Sequence, residues 1–300
     1  FLWQGLHTRR VLWFVAAGLA TGLTLYGYTS GKMAVFIALG FLGLWFLFNR
    51  GFADRSFYRG VAMFVLAAAI AFAPLGTFIA KNPNAYLWRT NEVSIWRNAA
   101  NNHLGILDVY GRNARLQAEM LVYRDASAPR YGTSNTPWID FAIAPFFVLG
   151  LAYSLLHWRR RENLLLLSWL FLGLQTALLS DGPTPPRAVA AIAPAFLLIG
   201  GFWDRAGQAW MASAWRARWK YALAVPALFL AASAYVNVGT YFNHYVYDPL
   251  TLWAYQDTDW NVSAAVNTLG KDYEVYLSPA FSDSEVVRFA TALNPGFKVF

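Results

Sequence analysis

Seven long apolar stretches divide this chain, and they constrain its fold more than any other feature of the sequence. Each approaches or reaches the roughly 20 apolar residues that a helix needs to cross the hydrocarbon core of a bilayer. A helix also satisfies its own backbone hydrogen bonds at that depth, where water is absent. The sequence therefore predicts membrane-spanning helices at Val11–Tyr28, Met33–Phe48, Val61–Ala80, Ile139–Trp158, Asn163–Ser180, Ala188–Phe202 and Tyr221–Phe242.

Basic residues between these stretches are distributed unevenly, and their distribution predicts the orientation of the chain. Cytoplasmic connectors of membrane proteins carry an excess of Lys and Arg. One set of connectors holds twelve such residues: Arg9, Arg10, Arg50, Arg55, Arg59, Arg159, Arg160, Arg161, Arg205, Arg216, Arg218 and Lys220. The two short connectors of the other set hold one each, Lys32 and Arg187. We therefore expect a multi-pass protein of the plasma (inner) membrane that begins in the cytoplasm and places residues 81–138 and 243–300 outside.

The composition agrees with this topology and excludes several other classes of protein. Hydrophobic residues make up 57% of the chain and charged residues 13%, which is unusual for a soluble domain. The net charge of +8 lies mostly beside helix ends, where it meets anionic lipid, so we expect membrane lipids and no nucleic acid as partners. The absence of cysteine excludes disulfides and thiolate ligands, and the four isolated histidines lack the spacing of a metal site. No cofactor and no metal site are therefore predicted, and whether a metal assists the reaction stays open from the sequence.

The segment between the third and fourth stretches is long enough to carry structure of its own. Residues 81–138 exceed the length of an ordinary connector. Their pattern predicts an amphipathic helix on the membrane surface at Ala85–Trp96, a second helix from Asn102 to Tyr123, and a loop at Asp125–Pro137. This extracytoplasmic region therefore has room for a binding site.

The segment after Phe242 has the pattern of a soluble domain. It predicts helices at Thr258–Leu269 and Asp283–Leu293 and strands at Glu274–Leu277 and Phe297–Phe300, an alternation typical of an α/β unit. The predicted fold is an α-helical polytopic membrane domain over residues 1–242, followed by the start of a small extracytoplasmic α/β domain over residues 243–300. Because the chain opens at Phe1 without Met and ends inside a predicted strand, we expect a piece of a longer protein.

A group of charged and polar residues on the predicted outer side is the candidate binding site. It consists of Tyr28, Lys32, Arg89, Glu92, Arg130, Asp181 and Arg187. Cations on this side run against the positive-inside bias, and an anionic ligand such as a lipid phosphate would account for them. Arginine binds phosphate in a bidentate manner, and lysine acts as a compact point charge. The alternative is that Lys32 and Arg187 extend to the membrane interface and that Arg89 pairs with Glu92.

Four short stretches resemble motifs of bacterial polytopic glycosyltransferases. Residues 22–32 (GLTLYGYTSGK) resemble a hairpin of the form GLxLYTYxxGR, and residues 82–96 (NPNAYLWRTNEVSIW) resemble xPexfxxRxxxVSif. Residues 125–140 (DASAPRYGTSNTPWID) resemble a GD…pRhN…PmLD loop, and residues 180–194 (SDGPTPPRAVAAIAP) resemble an S…P…R…P turn. Their order and spacing are more specific than any one of them alone. The chain is thus similar to the GT-C enzymes of family 39, which include relatives of the protein O-mannosyltransferases and aminoarabinose transferases.

The resemblance implies an enzyme that takes a sugar from a polyprenyl-phosphate carrier and transfers it to a protein or lipid acceptor on the outer face. In that family the essential acidic residue lies in the first extracytoplasmic loop, and no segment of this chain matches that loop. The resemblance therefore implies a catalytic residue in a missing N-terminal part, and it assigns that role to none of Asp108, Asp125 and Asp181. It also implies three cations that stabilise the departing polyprenyl phosphate: Lys32, Arg130 and Arg187.

Three other functions stay open from the sequence. A transporter or flippase of a lipid-linked or anionic substrate would use the same cations, although it should also carry charges at mid-membrane. Another polytopic enzyme of envelope synthesis, such as a polysaccharide polymerase or ligase, would also have a large outer loop. A structural membrane component would need no cations gathered on its outer side.

Overall fold

The computed structural model describes residues 1–27, 29–48, 54–124, 129–132, 136–212, 219–269, 273 and 275–292. Contacts between residues divide the chain into two units. The first unit comprises Phe1–Arg124 and Pro137–Ser233, and the second comprises Asp125–Thr136 and Ala234–Phe300. Three predictions fall outside the described residues, namely Tyr28, the side chain of Arg89 and the strand at Phe297–Phe300.

One helix lies at each of the seven predicted spans. In the described part of the chain up to Gly239, the helices in order are α1 (Leu2–Thr8), α2 (Val11–Thr24), α3 (Met33–Phe48), α4 (Arg55–Lys81), α5 (Pro83–Glu92), α6 (Ile95–Asn101), α7 (Ile106–Val122), α8 (Ala144–Leu156), α9 (Arg161–Leu178), α10 (Pro185–Ala212) and α11 (Trp219–Gly239). Helices α2, α3, α4, α8, α9, α10 and α11 correspond to the predicted spans.

Not all of these helices are long enough to cross a bilayer. Among the described residues, four helical stretches have the length and hydropathy of a membrane span: Ser30–Phe48, Arg55–Lys81, Pro185–Ala212 and Leu223–Tyr247. By contrast α2 has 14 residues and α8 has 13. The chain is therefore helical, with four helices that are long and apolar enough to cross a membrane, and the number of seven crossings stays a prediction.

Helices α2 and α4 pack against each other more closely than ordinary side chains allow. Gly18 and Gly22 lie one turn apart on α2 and face the backbone of α4. A Cβ atom at Gly18 would lie 2.2 Å from the carbonyl oxygen of Phe64, and one at Gly22 would lie 2.6 Å from that of Ala68. Small residues four apart permit this approach between membrane helices. We call this contact the glycine seam.

The second half of α4 is interrupted by Pro74, which has no backbone N–H to donate. Next to it, the hydroxyl of Tyr26 accepts a hydrogen bond from the N–H of Leu75 at 3.2 Å and donates to the carbonyl of Ala71 at 3.0 Å. Residues 71 and 75 are the i and i+4 partners of an uninterrupted helix. A side chain that enters the backbone ladder is one of the identifiable causes of a helix bend. Tyr26 therefore satisfies the backbone of α4 at this position.

A second close contact joins α8, α9 and α10. Gly150 of α8 faces the carbonyl of Leu198, and Gly173 of α9 faces the backbone of Ala190. Around these contacts lies a core of buried apolar side chains from Ile139, Ile143, Ala144, Phe147, Leu170, Ala191, Ala195, Leu198 and Ile199. These helices support the turn between α9 and α10, where the candidate site lies.

Between α4 and α8 the chain forms the three helices α5, α6 and α7. The prediction of one helix over Ala85–Trp96 is wrong, because α5 ends at Glu92 and α6 begins at Ile95. Ser94 caps the start of α6, since its hydroxyl accepts a hydrogen bond from the N–H of Arg97 at 3.3 Å. The helix predicted from Asn102 to Tyr123 is confirmed as α7.

The described part of the second unit is also helical. It contains a 3-10 turn within the predicted loop (Pro129–Tyr131), a π-helical turn (Thr240–His244), a second 3-10 turn (Tyr245–Tyr247) and four short helices: α12 (Pro249–Ala254), α13 (Asp257–Leu269), α14 (Pro279–Ser282) and α15 (Glu285–Thr291). Helices α13 and α15 lie at the predicted positions. Residues 275–277 of the strand predicted at Glu274–Leu277 are in no strand, so an α/β domain is not confirmed in the part that the structure covers.

Candidate functional site

The turn between α9 and α10 is held by backbone pairing with the break between α5 and α6. The N–H of Ile95 donates to the carbonyl of Leu179 at 3.0 Å, and the N–H of Asp181 donates to the carbonyl of Val93 at 2.9 Å. Ser94 and Ser180 form an isolated antiparallel bridge at this point. Because this pairing coincides with extended backbone at Ser94, the amphipathic pattern of residues 85–96 does not continue as one helix.

Two asparagine side chains add hydrogen bonds to the same turn. Asn113 of α7 is fully buried and donates to the carbonyls of Leu178 and Ser180 at 3.1 and 2.8 Å. Asn98 of α6 donates to the carbonyl of Asp181 at 2.7 Å. A buried carbonyl without a donor costs stability. These bonds therefore fix the path of the turn and, with it, the position at which α10 begins.

Arg187 lies in the first turn of α10, and its guanidinium is directed back toward the α9–α10 turn. It forms an ion pair with the carboxylate of Asp181 and a hydrogen bond to the carbonyl of Gly182, and it donates to the hydroxyl of Ser180 at 3.2 Å. The side chain of Arg187 is only 14% exposed. The structure thus brings together two predicted site residues, Asp181 and Arg187, and each neutralises the charge of the other.

Lys32 lies in different surroundings, at the end of the 3-10 turn Thr29–Lys32 that leads into α3. Its ammonium nitrogen is 3.4 Å from the hydroxyl oxygen of Thr90 and 4.0 Å from the ring centroid of Tyr86. Burial raises the pKa of the Tyr86 phenol, so the ring stays uncharged beneath the ammonium group. Among the described residues no carboxylate pairs with Lys32. Its charge is therefore held by an aromatic ring and a hydroxyl and is not neutralised.

Lys32 and Arg187 line the same cavity of the first unit, which has a volume of about 250 Å³. The wall is largely apolar, and the side chains that contribute to it include Met33, Phe36, Val93, Trp96 and Leu179. Gln175 and five hydroxyl residues also line it, Ser30, Thr90, Ser94, Thr176 and Ser180. The Thr176 hydroxyl oxygen is buried and has no hydrogen-bond partner among the described residues. An apolar cavity with one unneutralised cation and a few hydroxyl groups suits an anionic group attached to an apolar chain.

The other predicted site residues are arranged differently. Glu92 forms its ion pair with Arg97, five residues along the chain. Arg130 belongs to the second unit, where Nε and one terminal nitrogen donate to the carbonyl of Ala254 at 3.1 and 2.6 Å. Of the three cations expected to act together, Lys32 and Arg187 line one cavity of the first unit, and Arg130 lines a cavity of the second unit.

Sequence reasoning missed the residues that surround Lys32 and hold the α9–α10 turn. Tyr86 and Thr90 lie four residues apart on α5, so they are neighbours on one helix face, and this spacing was the available signal. The roles of Asn98 and Asn113 had no comparable signal. Their acceptors lie more than 60 residues away in the chain, at sequence separations of 83 for Asn98 and of 65 and 67 for Asn113.

Comparison with known proteins gives no match to this chain among protein-family models, curated proteins or solved structures. The family suggested by the sequence motifs therefore stays a hypothesis.

Proposed function

We propose that the chain forms the membrane part of a glycosyltransferase that takes its sugar from a polyprenyl-phosphate donor. The observation that carries the proposal is the position of Lys32 and Arg187 in one largely apolar cavity. Such a donor combines a long apolar chain with a phosphate group, so it matches both properties of the cavity. The two cations also fall within residues 22–32 and 180–194, which resemble motifs of these enzymes.

Lys32 is the residue proposed to contact the donor phosphate. A phosphate oxygen would offer its ammonium a full negative charge in place of the hydroxyl of Thr90 at 3.4 Å. Hydrogen bonds between two charged groups are about twice as strong as those between neutral groups. Arg187 already binds Asp181, but a guanidinium has five N–H donors and can serve a second acceptor. The carboxylate of Asp181 then neutralises part of the Arg187 charge and weakens its attraction for a phosphate.

The proposed reaction is a direct displacement at the anomeric carbon of the sugar. The acceptor hydroxyl oxygen forms the new bond, its proton passes to a carboxylate, and the bond between the anomeric carbon and the phosphate oxygen breaks. The phosphate leaves with the electron pair and gains negative charge. Lys32 and Arg187 would stabilise that charge as it develops, which is the kind of interaction that lowers the barrier of the chemical step. The base itself is assigned to none of the described acids.

Binding of undecaprenyl phosphate to the full chain in nanodiscs tests the role of Lys32, with undecaprenol as the neutral probe. We expect undecaprenyl phosphate to bind at least about tenfold more tightly than undecaprenol, because one hydrogen bond to a charged group is worth about 1.5 kcal/mol or more. Lys32→Met should remove this difference. Lys81→Met is the matched control, since Lys81 also lies on the predicted outer side but, unlike the half-buried Lys32, is exposed and does not line the cavity.

Asp181→Asn sharpens the same test in the opposite direction. Loss of the carboxylate would release the charge of Arg187, so affinity for undecaprenyl phosphate should rise by several-fold while affinity for undecaprenol is unchanged. Equal binding of the two probes to the unmodified chain, or unchanged phosphate binding by Lys32→Met, would contradict the proposed role of the cavity.

Transfer is measured separately, with a polyprenyl-phosphate sugar labelled in the sugar and proteoliposomes that contain the full-length protein in which the chain occurs, because the general base is assigned to no residue of the chain. Lys32→Met should lower transfer at least about tenfold, since the lost interaction is with the leaving phosphate. Lys81→Met should leave transfer unchanged. Movement of the intact donor across the membrane without release of its sugar would instead identify a flippase.

A further inference from the structure

The second unit contains a cavity that the proposed function does not use. Its volume is about 600 Å³, within the usual range for small-molecule sites. Three aromatic residues line it, Tyr131, Trp253 and Phe281, together with the polar residues Arg130, Gln256 and Asp259. All of these residues belong to the second unit, so the cavity is a property of that unit alone.

The indole of Trp253 is available to a ligand in this cavity. Trp253 lies on the short helix α12 and is 75% exposed. An indole in this state leaves a large apolar area in contact with water. Tyr131, on the 3-10 turn Pro129–Tyr131, is 41% exposed in the same cavity. A ligand with an apolar face would cover these rings.

The polar residues are fixed beside Trp253 by the backbone. Gln256 has a φ of 59°, a left-handed conformation that non-glycine residues rarely adopt and that is common at functional sites. This turn separates α12 from α13 by two residues and places Asp259, in the first turn of α13, in the same cavity as Trp253. The carboxylate of Asp259 accepts a hydrogen bond of 2.5 Å from Ser284, which restrains its orientation.

Arg130 adds hydrogen-bond donors to the wall of the cavity. Nε and one terminal nitrogen bond the carbonyl of Ala254, and the backbone carbonyl of Arg130 accepts hydrogen bonds from the hydroxyls of Tyr245 and Tyr255 at 2.7 and 2.9 Å. These contacts hold the guanidinium in place while its other nitrogen keeps N–H donors for a ligand.

We propose that this cavity binds a saccharide. A pyranose ring has a face of C–H groups that stacks on an indole, and a rim of hydroxyl groups that both donate and accept hydrogen bonds. Trp253 would cover the ring face, Asp259 and Gln256 would accept hydrogen bonds from hydroxyl groups, and Arg130 would donate hydrogen bonds to hydroxyl oxygens. Asp259 disfavours a phosphate ligand by charge repulsion. A concave cavity with two charged groups is also a poor match for the flat surface of a bilayer.

Saturation-transfer NMR on the full chain in nanodiscs tests the proposal with four probes, the methyl glycosides of glucose, mannose, N-acetylglucosamine and glucuronic acid. We expect transfer to the ring C–H protons of at least one probe. Trp253→Ala should weaken its affinity at least about tenfold, the effect typical of losing a tryptophan anchor. Trp253→Phe should weaken the affinity less than Trp253→Ala does, because phenylalanine retains an aromatic face. Asp259→Asn should weaken binding as well.

Two control variants show whether the saccharide binds in this cavity or elsewhere on the chain. Trp260→Ala removes another tryptophan of the second unit, which is 51% exposed and does not line the cavity, and it should leave saccharide binding unchanged. Lys32→Met should also leave it unchanged, so the result is independent of the phosphate site. The proposal is overturned if no glycoside receives saturation from the unmodified chain, or if Trp253→Ala binds as well as Trp260→Ala does.

Discussion

The glycine seam and the α9–α10 turn are both places where two parts of the first unit approach closely, and they do so by different means. At the seam, Gly18 and Gly22 have no side chain, so the backbones of α2 and α4 come into direct contact. At the turn, the polar side chains of Asn98, Asn113 and Arg187 donate hydrogen bonds to backbone carbonyls. One contact depends on the absence of atoms and the other on the presence of donors.

This difference determines which substitutions each region tolerates. The seam has no space for an added methyl group. The polarity of a substituted side chain would matter little there. At the turn, a change of volume is tolerable if the carbonyls keep their donors. The seam therefore responds to size, and the turn responds to hydrogen-bonding capacity. Three substitutions test this distinction and a fourth, away from both regions, serves as a comparison; they are taken from the largest expected effect to the smallest.

Gly18→Ala should have the largest effect on stability. The new Cβ atom would lie 2.2 Å from the carbonyl oxygen of Phe64, so the two helices must separate. Overpacking of this kind costs up to about 3 kcal/mol. Thermal unfolding of the purified chain in detergent, followed by intrinsic fluorescence, measures the loss.

The matched control for Gly18→Ala is Gly43→Ala in α3. No atom lies within 4 Å of a Cβ atom built at Gly43. Alanine is a better helix former than glycine, so this variant should be neutral or more stable by about 0.5 kcal/mol. Equal destabilisation by both alanines would show that the seam has no special dependence on size.

Asn113→Ala should have the next largest effect. The substitution reduces volume, which the seam would tolerate, but it removes both hydrogen bonds to the carbonyls of Leu178 and Ser180. Two buried carbonyls without a donor should cost about 2 kcal/mol in the same unfolding experiment. Asn101→Ala is the control, because Asn101 is exposed at the end of α6. If the two variants unfold at the same temperature, the turn does not depend on the donor of Asn113.

Tyr26→Phe tests whether the helix pair at the seam is purely apolar in character. Its ring is retained, but the hydrogen bonds to Ala71 and Leu75 beside Pro74 are lost. Hydrogen bonds between membrane helices are typically worth about 0.6 kcal/mol and at most about 1.7. We expect a loss of about 1 kcal/mol in thermal unfolding. Tyr58→Phe, at an exposed tyrosine near the start of α4, should have no effect. Unchanged stability of Tyr26→Phe would make size the main requirement of the α2–α4 pair.

Sequence patterns predicted the positions of the helices better than their interruptions. The apolar stretches correspond to helices α2, α3, α4, α8, α9, α10 and α11, because a long run of apolar residues is a local signal that the sequence itself contains. The seam had a local signal too, since Gly18 and Gly22 are four residues apart. The break at Val93 and Ser94 had none, because it depends on pairing with residues 179–181, which are distant in the chain.

The same limit applies to the candidate site. Charge bias against the positive-inside rule identified Lys32 and Arg187 as unusual, and both line one cavity. The bias contained no information about their partners. Arg187 meets a carboxylate six residues away because of the path of the turn, and Arg130 meets the carbonyl of Ala254, which is 124 residues away. Partner choice follows from tertiary geometry, which residue types alone do not specify.

Glu119→Gln should have the smallest effect, because it alters a contact at the surface of α7, away from both regions. Arg115 donates a hydrogen bond to Glu119 at 2.9 Å, and with Arg124 it holds the pKa of Glu119 below its ordinary value of 4.5. A carboxyl group whose pKa is lowered by folding stabilises the folded state above its unfolded pKa, and this contribution is lost as the pH falls through the folded value. The variant should therefore unfold at a slightly lower temperature than the unmodified chain at pH 7. The difference should shrink as the pH falls below 4.5.

Surface ion pairs contribute little and are screened by salt, so about 1 M NaCl should also reduce the difference. A difference that persists at low pH and in high salt would show that Glu119 acts through packing, as Asn113 and Gly18 do.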